Sequence, residues 1–192
     1  TMLADHPLVA HKLTTLRDER TDSPTFRRLV DELVTLLAYE ATRDIRVAEV
    51  DITTPVGPAT GYRMAQPRPV VIPILRAGLG MVDAFLALMP TAQVWHLGLF
   101  RDEKTLRPVE YYNKLPDTTT VDLCLILDPM LATGGSATAA IEVLKKWGAV
   151  RIKLVNLIAA PEGVEAVLSA HPEVEIYTAA LDRQLNEKGY IM

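Results

Sequence analysis

The chain has 192 residues, enough for one domain that buries roughly two-thirds of its unfolded surface without a disulfide framework or structural metal. Twenty Lys and Arg against 24 Asp and Glu give a formal charge of −4, which argues against a broad electrostatic grip on nucleic acid or anionic lipid. Hydrophobic residues make up 49% and charged residues 23%, a folded globular composition; no apolar run nears the roughly 20 residues that cross a bilayer, so a cytoplasmic protein is expected.

Taken in chain order, Leu8, Val9, Leu13 and Leu16 follow Pro7 at mixed three- and four-residue spacing and predict a short amphipathic helix before the charged stretch 17–20. Ser23 as cap, Pro24 at the first helical position, and the stripe Phe26, Leu29, Val30, Leu33, Leu36 and Leu37 predict a second helix to about Arg43. Together, residues 1–46 read as a helical arm ahead of the sheet. Pro55, Gly57, Pro58 and Gly61 break the stretch 47–62, leaving short edge strands or a connector. Strands are then predicted at 70–75, 92–100, 121–127, 152–159 and 174–179, with helices at 79–89, 133–147 and 161–170. Near-continuous apolar strands alternating with helices indicate an α/β fold, a mostly parallel central sheet flanked by helices. The single cysteine, Cys124, lies inside the run 121–127 and reads as core. Residues 101–116 carry charge around Val109, Tyr111 and Leu115 and predict a projecting hairpin.

Ligands of such sheets gather beyond the carboxyl ends of the strands. There the strongest signal is LCLILDPMLATGGSA, residues 123–137. Asp128 ends the strand, a turn follows, and Thr133, Gly134, Gly135 and Ser136 open a helix. Adjacent glycines let backbone amides approach an anion, and the first amides of a helix point at it. Asp128 would repel a phosphate but accept from sugar hydroxyls, directly or through a water that also touches a cation. The implied ligand is a sugar phosphate; a capped Gly-Gly turn is the plain alternative for the four residues TGGS alone. A second loop, Arg76-Ala77-Gly78, follows another apolar strand and suits a diphosphate. Arg101 ends a third strand, whereas Lys104 and Arg107 read as solvated surface. G-x-G-x-x-G, G-x-x-x-x-G-K followed by Ser or Thr, G-x-S-x-G and H-E-x-x-H are all absent, and His6, His11, His96 and His171 are scattered, which disfavours a metal cluster.

DPMLATGGSA resembles the phosphoribosyltransferase motif, and DHPLVAHKLTTLRDERT, PILRAGLGMV, GLFRDEKTLRPVEYYNKLP, AAPEGV and LNEKGYI are similar to uracil phosphoribosyltransferases. Pro129, where relatives outside this family carry a second acid, is typical of the uracil enzymes. The resemblance implies a type I phosphoribosyltransferase fold, a single domain over 1–192, a homodimer, and conversion of uracil and 5-phospho-α-D-ribose 1-diphosphate to UMP and diphosphate. It implies Arg76, Arg101 and Asp128 as catalytic residues. Substrate contacts would come from Ala77, Gly78, Pro129, Met130, Leu131, Ala132, Thr133, Gly134, Gly135 and Ser136, with Tyr190 and Ile191 starting the base pocket. It implies Mg2+, held mainly by the diphosphate substrate, a hairpin covering the site, and GTP as a candidate regulator. A non-catalytic regulator binding UMP or RNA on the same fold, and a phosphoribosyltransferase for another base, stay open. Family members continue past Gly189-Tyr190-Ile191 with a segment that reads uracil, so an active enzyme whose sequence runs beyond Met192 is expected.

Overall fold

The computed structural model describes residues 1–101, 108–117 and 121–192, the side chains of Phe100, Arg101 and Pro108 excepted. In chain order its elements are β1 (Met2–Leu3), α1 (Pro7–Arg17), α2 (Ser23–Ala41), β2 (Val47–Thr54), β3 (Gly57–Met64), β4 (Val70–Leu75), a 3₁₀ turn (Ala77–Met81), α3 (Val82–Leu88), β5 (Gln93–Val94), β6 (Leu97–Arg101), β7 (Pro108–Asn113), β8 (Leu123–Leu127), β9 (Met130–Leu131), α4 (Gly135–Trp147), β10 (Arg151–Ala159), α5 (Pro161–Ala170) and β11 (Glu175–Leu181).

Pro7 opens α1, whereas α2 starts one residue earlier than expected, at Ser23, which puts Pro24 second. His6 Nδ1 accepts the Leu8 N–H at 3.1 Å, and Asp22 Oδ1, rather than Ser23, accepts the Thr25 N–H at 2.7 Å. Helix α2 ends at Ala41, two residues short of expectation, where Thr42 turns its N–H back to the Ala38 carbonyl. Its inner face buries Leu29, Leu33, Val34, Leu37 and Ala38, while Phe26 stays exposed.

The main sheet runs β1-β11-β10-β8-β4-β6-β7, with β5 beside β4 and β9 beside β10. All its pairings are parallel except β6 with β7, which form the expected hairpin. The hairpin's turn, with Asp102, Lys104 and Arg107, lies outside the described residues. Alternation along the strands divides the core. Leu123, Leu125 and Leu127 meet Leu33, Leu37 and Phe85 on the α1–α3 side, while Cys124 and Ile126 meet Ile141, Leu144 and Val167 on the α4–α5 side. Burial pushes the Cys124 thiol up to about 12, which makes it inert packing.

Three expectations change. The helix read over 79–89 is a 3₁₀ turn followed by α3, and the strand read over 92–100 breaks into β5 and β6. The stretch 47–62 forms strands rather than a connector, but away from the main sheet: β2 and β3 pair antiparallel with each other, from Val47↔Met64 to Thr54↔Gly57, in a sheet of their own. None of the helices is long and apolar enough to cross a membrane, among the described residues.

At the amino edge of the sheet, Lys153 is buried yet fully engaged. Its Nζ donates to the Ala41 carbonyl (3.0 Å), Asp44 Oδ1 (2.6 Å) and Tyr177 Oη (3.2 Å). Arg151 joins Asp44 to Asp122, and Arg46 closes on Asp122 at 3.0 Å. These contacts tie the end of α2 to the starts of β8, β10 and β11.

Candidate active site

Strands β8, β4 and β6 lie side by side with their carboxyl ends toward one edge of the sheet, β4 reaching further out than β8 and β6 further than β4. Pro73 pairs with Leu127, which puts Asp128 level with Ile74 and Arg76 two residues further out. Ile74 pairs with Leu97, so β6 delivers Arg101 to the same edge. The fold thus carries the backbones of Arg76, Arg101 and Asp128 to one edge of the sheet, Arg101 the furthest out; the Arg101 side chain lies outside the description.

After Asp128 the chain runs on along β10. The Pro129 carbonyl accepts the N–H groups of Leu157 (3.0 Å) and Ile158 (3.2 Å), and the Leu131 carbonyl accepts that of Ala160 (2.9 Å). The Leu131 side chain is buried and anchors the loop, so its backbone is what it could offer a ligand. Gly134 adopts φ +81°, and helix α4 opens at Gly135, two residues later than expected. No side chain caps α4, so the N–H groups of Gly135, Ser136 and Ala137 lack partners of the kind that His6 and Asp22 supply to α1 and α2. The Thr133 side chain is exposed, Ser136 half-buried beside it, and a Cβ on Gly135 would meet only Thr133 Oγ1, at 3.9 Å. The result is an open, amide-lined recess suited to a phosphate dianion.

The two glycines of the pair do different work. A Cβ on Gly134 would lie 2.9 Å from the Gly163 carbonyl, and one on Gly163 would lie 2.4 Å from that of Ala132. Loop and α5 therefore touch backbone to backbone. Gly163 carries no phosphate-binding motif, and only the Pro-Glu-Gly opening of α5 hinted at it.

In the second loop the Leu75–Arg76 peptide is cis. Arg76 is exposed, and among the described residues no carboxylate forms an ion pair with it. Gly78 is buried, and a Cβ there would stand 2.3 Å from the Leu127 carbonyl. The end of β8 thus by itself demands glycine at this position. Ala77 and Gly80 border an apolar groove of about 570 Å³ together with Phe26, Val30, Met81 and Met130. Met130, which lines this groove, is 51% exposed.

Burial pushes the Asp128 carboxyl up to about 6, against the lowering effect of a hydrogen bond from the Met130 N–H. Among the described residues no cation forms an ion pair with it, and no three His, Cys, Asp or Glu side chains cluster as a metal cage. One carboxylate at a phosphate loop still fits Mg2+, which keeps most of its waters and takes the rest of its ligands from substrate phosphates.

Tyr190 and Ile191 lie beyond the ends of β10 and β11. Asn186 accepts the Tyr190 N–H on Oδ1 at 3.0 Å, Ile191 bridges to Leu185, and the Leu185 N–H donates to Glu162 on α5 at 2.9 Å. The segment is thereby fastened to the helix that also backs the phosphate loop.

A family model described as uracil phosphoribosyltransferase matches residues 2–192. The uracil phosphoribosyltransferase of Roseiflexus castenholzii is 60% identical over 190 residues, covering 99% of this chain and 91% of that protein. That of Geobacillus kaustophilus is 58% identical over 188 residues, covering 98% and 90%. Among solved structures, the AQ2163 protein from Aquifex aeolicus has a TM-score of 0.91 at 38% identity, over 99% of this chain and 91% of that one. A purine phosphoribosyltransferase from Pyrococcus horikoshii shares the fold, with a TM-score of 0.55 at 19% identity over 81% and 83%.

Proposed function

The chain belongs to the uracil phosphoribosyltransferase family, and on that premise we propose that its cleft joins uracil to 5-phospho-α-D-ribose 1-diphosphate, forming UMP and releasing diphosphate. It is an enzyme, a pentosyltransferase. The observation that carries the site assignment is the uncapped, amide-lined start of α4 on the same sheet edge as Arg76.

In this reading the N–H groups after Gly134, with the Thr133 and Ser136 hydroxyls, hold the 5-phosphate and fix the sugar. Asp128 accepts from the ribose hydroxyls. Arg76, the backbone at Ala77 and Gly78, and Arg101 take the diphosphate, whose charge grows as the bond to the anomeric carbon breaks. Ala132, Pro129 and Met130 shape the wall between these contacts, and Tyr190 and Ile191 begin the base pocket. Asp128 would be the residue to hold Mg2+ through water, and the ion, when bound with the sugar diphosphate, would supply charge neutralisation at the leaving group. The Thr133 and Ser136 hydroxyls and Asp128 are taken up with the phosphate and the ribose, and no other described residue at the site is an evident nucleophile, so the uracil ring nitrogen attacks directly and the anomeric carbon inverts. The hairpin over 101–116 excludes water from the reacting centre.

The same reading takes residues 1–192 as one domain with a helical arm over 1–46, working in the cytoplasm as a homodimer. The apolar groove beside Met130 and the self-paired β2–β3 hairpin, whose Val56 is 98% exposed, support a second copy as partner. A product assay with a panel of free bases tests the activity: UMP from uracil alone is expected, and a preference for another base overturns the assignment. Arg101→Ala should lower turnover far more than it weakens uracil binding; unchanged turnover removes Arg101 from the site.

A further inference from the structure

Strand β10 carries one amide side chain inside an apolar run. Asn156 is wholly buried, directly across the sheet from Asp128. The register that pairs Leu127 with Val155 continues unchanged where Met130 pairs with Ile158. In an unbroken parallel ladder the Asp128 carbonyl would take the Leu157 N–H. It does not. That N–H goes to the Pro129 carbonyl at 3.0 Å, and the Ile158 N–H shares the same oxygen at 3.2 Å. The Asp128 carbonyl, turned out of the ladder, accepts Asn156 Nδ2 at 2.6 Å instead, while the Asp128 N–H still donates to the Val155 carbonyl at 3.2 Å. Asp128 is therefore gripped on one side by the ladder and on the other by the Asn156 amide.

The other end of that amide argues against a packing role. Asn156 Oδ1 is buried with no hydrogen-bond partner among the described residues, a penalty that a leucine of similar size would avoid. The donor is what the position needs, since the carbonyl it serves can only accept.

We propose that Asn156 is the positioning residue for Asp128, its side-chain amide replacing the lost ladder bond and so fixing the direction in which the Asp128 carboxylate leaves the strand toward the ribose. The proposal rests on the reading of Asp128 given above. It concerns orientation and hence the rate of transfer, not the affinity for uracil.

A double-mutant cycle tests it, with UMP formation measured per active site and sites counted by equilibrium dialysis with the labelled sugar diphosphate. Asn156→Asp keeps the shape but sets an acceptor against the carbonyl; Asn156→Ala removes the donor. Each should lower kcat at least tenfold with KM for uracil within twofold. In an Asp128→Asn background the same changes should cost less than threefold, because the group they orient is gone. Equal losses in both backgrounds, or an unchanged kcat, overturn the proposal. If Asp128→Asn alone retains full turnover, the reading of Asp128 falls and the proposal with it; if Asp128→Asn is crippled while both Asn156 variants run normally, only the proposal falls. Should the variants fail to fold, the wild-type chain labelled with ¹⁵N-asparagine decides. A side-chain N–H resonance at low field that moves on adding ribose 5-phosphate supports the contact, and its absence overturns it.

Discussion

The two edges of the sheet treat charge in opposite ways. At the amino edge Lys153, Arg151, Asp44 and Asp122 satisfy one another. Burial works to raise the Asp44 carboxyl, but the hydrogen bond from Lys153 and the charges of Lys153 and Arg151 bring it below its ordinary value. At the carboxyl edge Asp128 is buried more deeply, without such partners among the described residues, and is pushed up to about 6, while Arg76 stands in the open. Paired charge at one end holds the fold, and the other end leaves its charge free for the ligand we propose.

That contrast can be broken at either end. Arg76→Ala should lower kcat/KM for the sugar diphosphate by about 100- to 1,000-fold and leave the thermal midpoint unchanged; a large fall in Tm would mean that Arg76 belongs to the scaffold. Lys153→Met should do the reverse, costing about 3 kcal/mol in denaturant titrations because Asp44 loses its buried partner, with turnover per folded molecule intact. Asp128→Asn should stabilise the protein by about 1–3 kcal/mol at pH 7.5. The sign follows from the titration: the folded carboxyl keeps its proton up to about pH 6, an unfolded aspartate only to near 3.8, so native stability falls as pH rises between those values. The gain from the substitution should therefore shrink toward pH 4, and a constant gain would refute the burial argument. Smallest, and remote from both edges, Asp22→Ala should remove about 1 kcal/mol through the lost cap of α2, with no kinetic effect.

Legibility in the sequence followed the strength of the local pattern. Strands β4, β8 and β10 announced themselves because burial on both faces makes their sequences continuously apolar. Strand β1 did not, since Met2 and Leu3 are exposed and owe their pairing to the edge of β11. Pro129 gave no sign that the chain would resume as β9, because that pairing depends on β10, far along the chain. The glycines around the phosphate loop were visible as residues but not as reasons: Gly78 answers to the Leu127 carbonyl and Gly134 to Gly163, contacts that only the packed structure reveals. Asn156 was overlooked although a single amide within KLVNLIA is a legible anomaly, a polar group in a run otherwise fit for burial.

The interlocked glycines of the phosphate loop and α5 carry a kinetic corollary. Because Ala132 and Gly163 already meet main chain to main chain, the loop we propose as the anion receptor is braced before any sugar arrives. Capture of a simple phosphomonoester should then proceed in one bimolecular phase whose observed rate climbs linearly with concentration. Any slower, saturable phase seen with the complete donor substrate would belong to another part of the molecule.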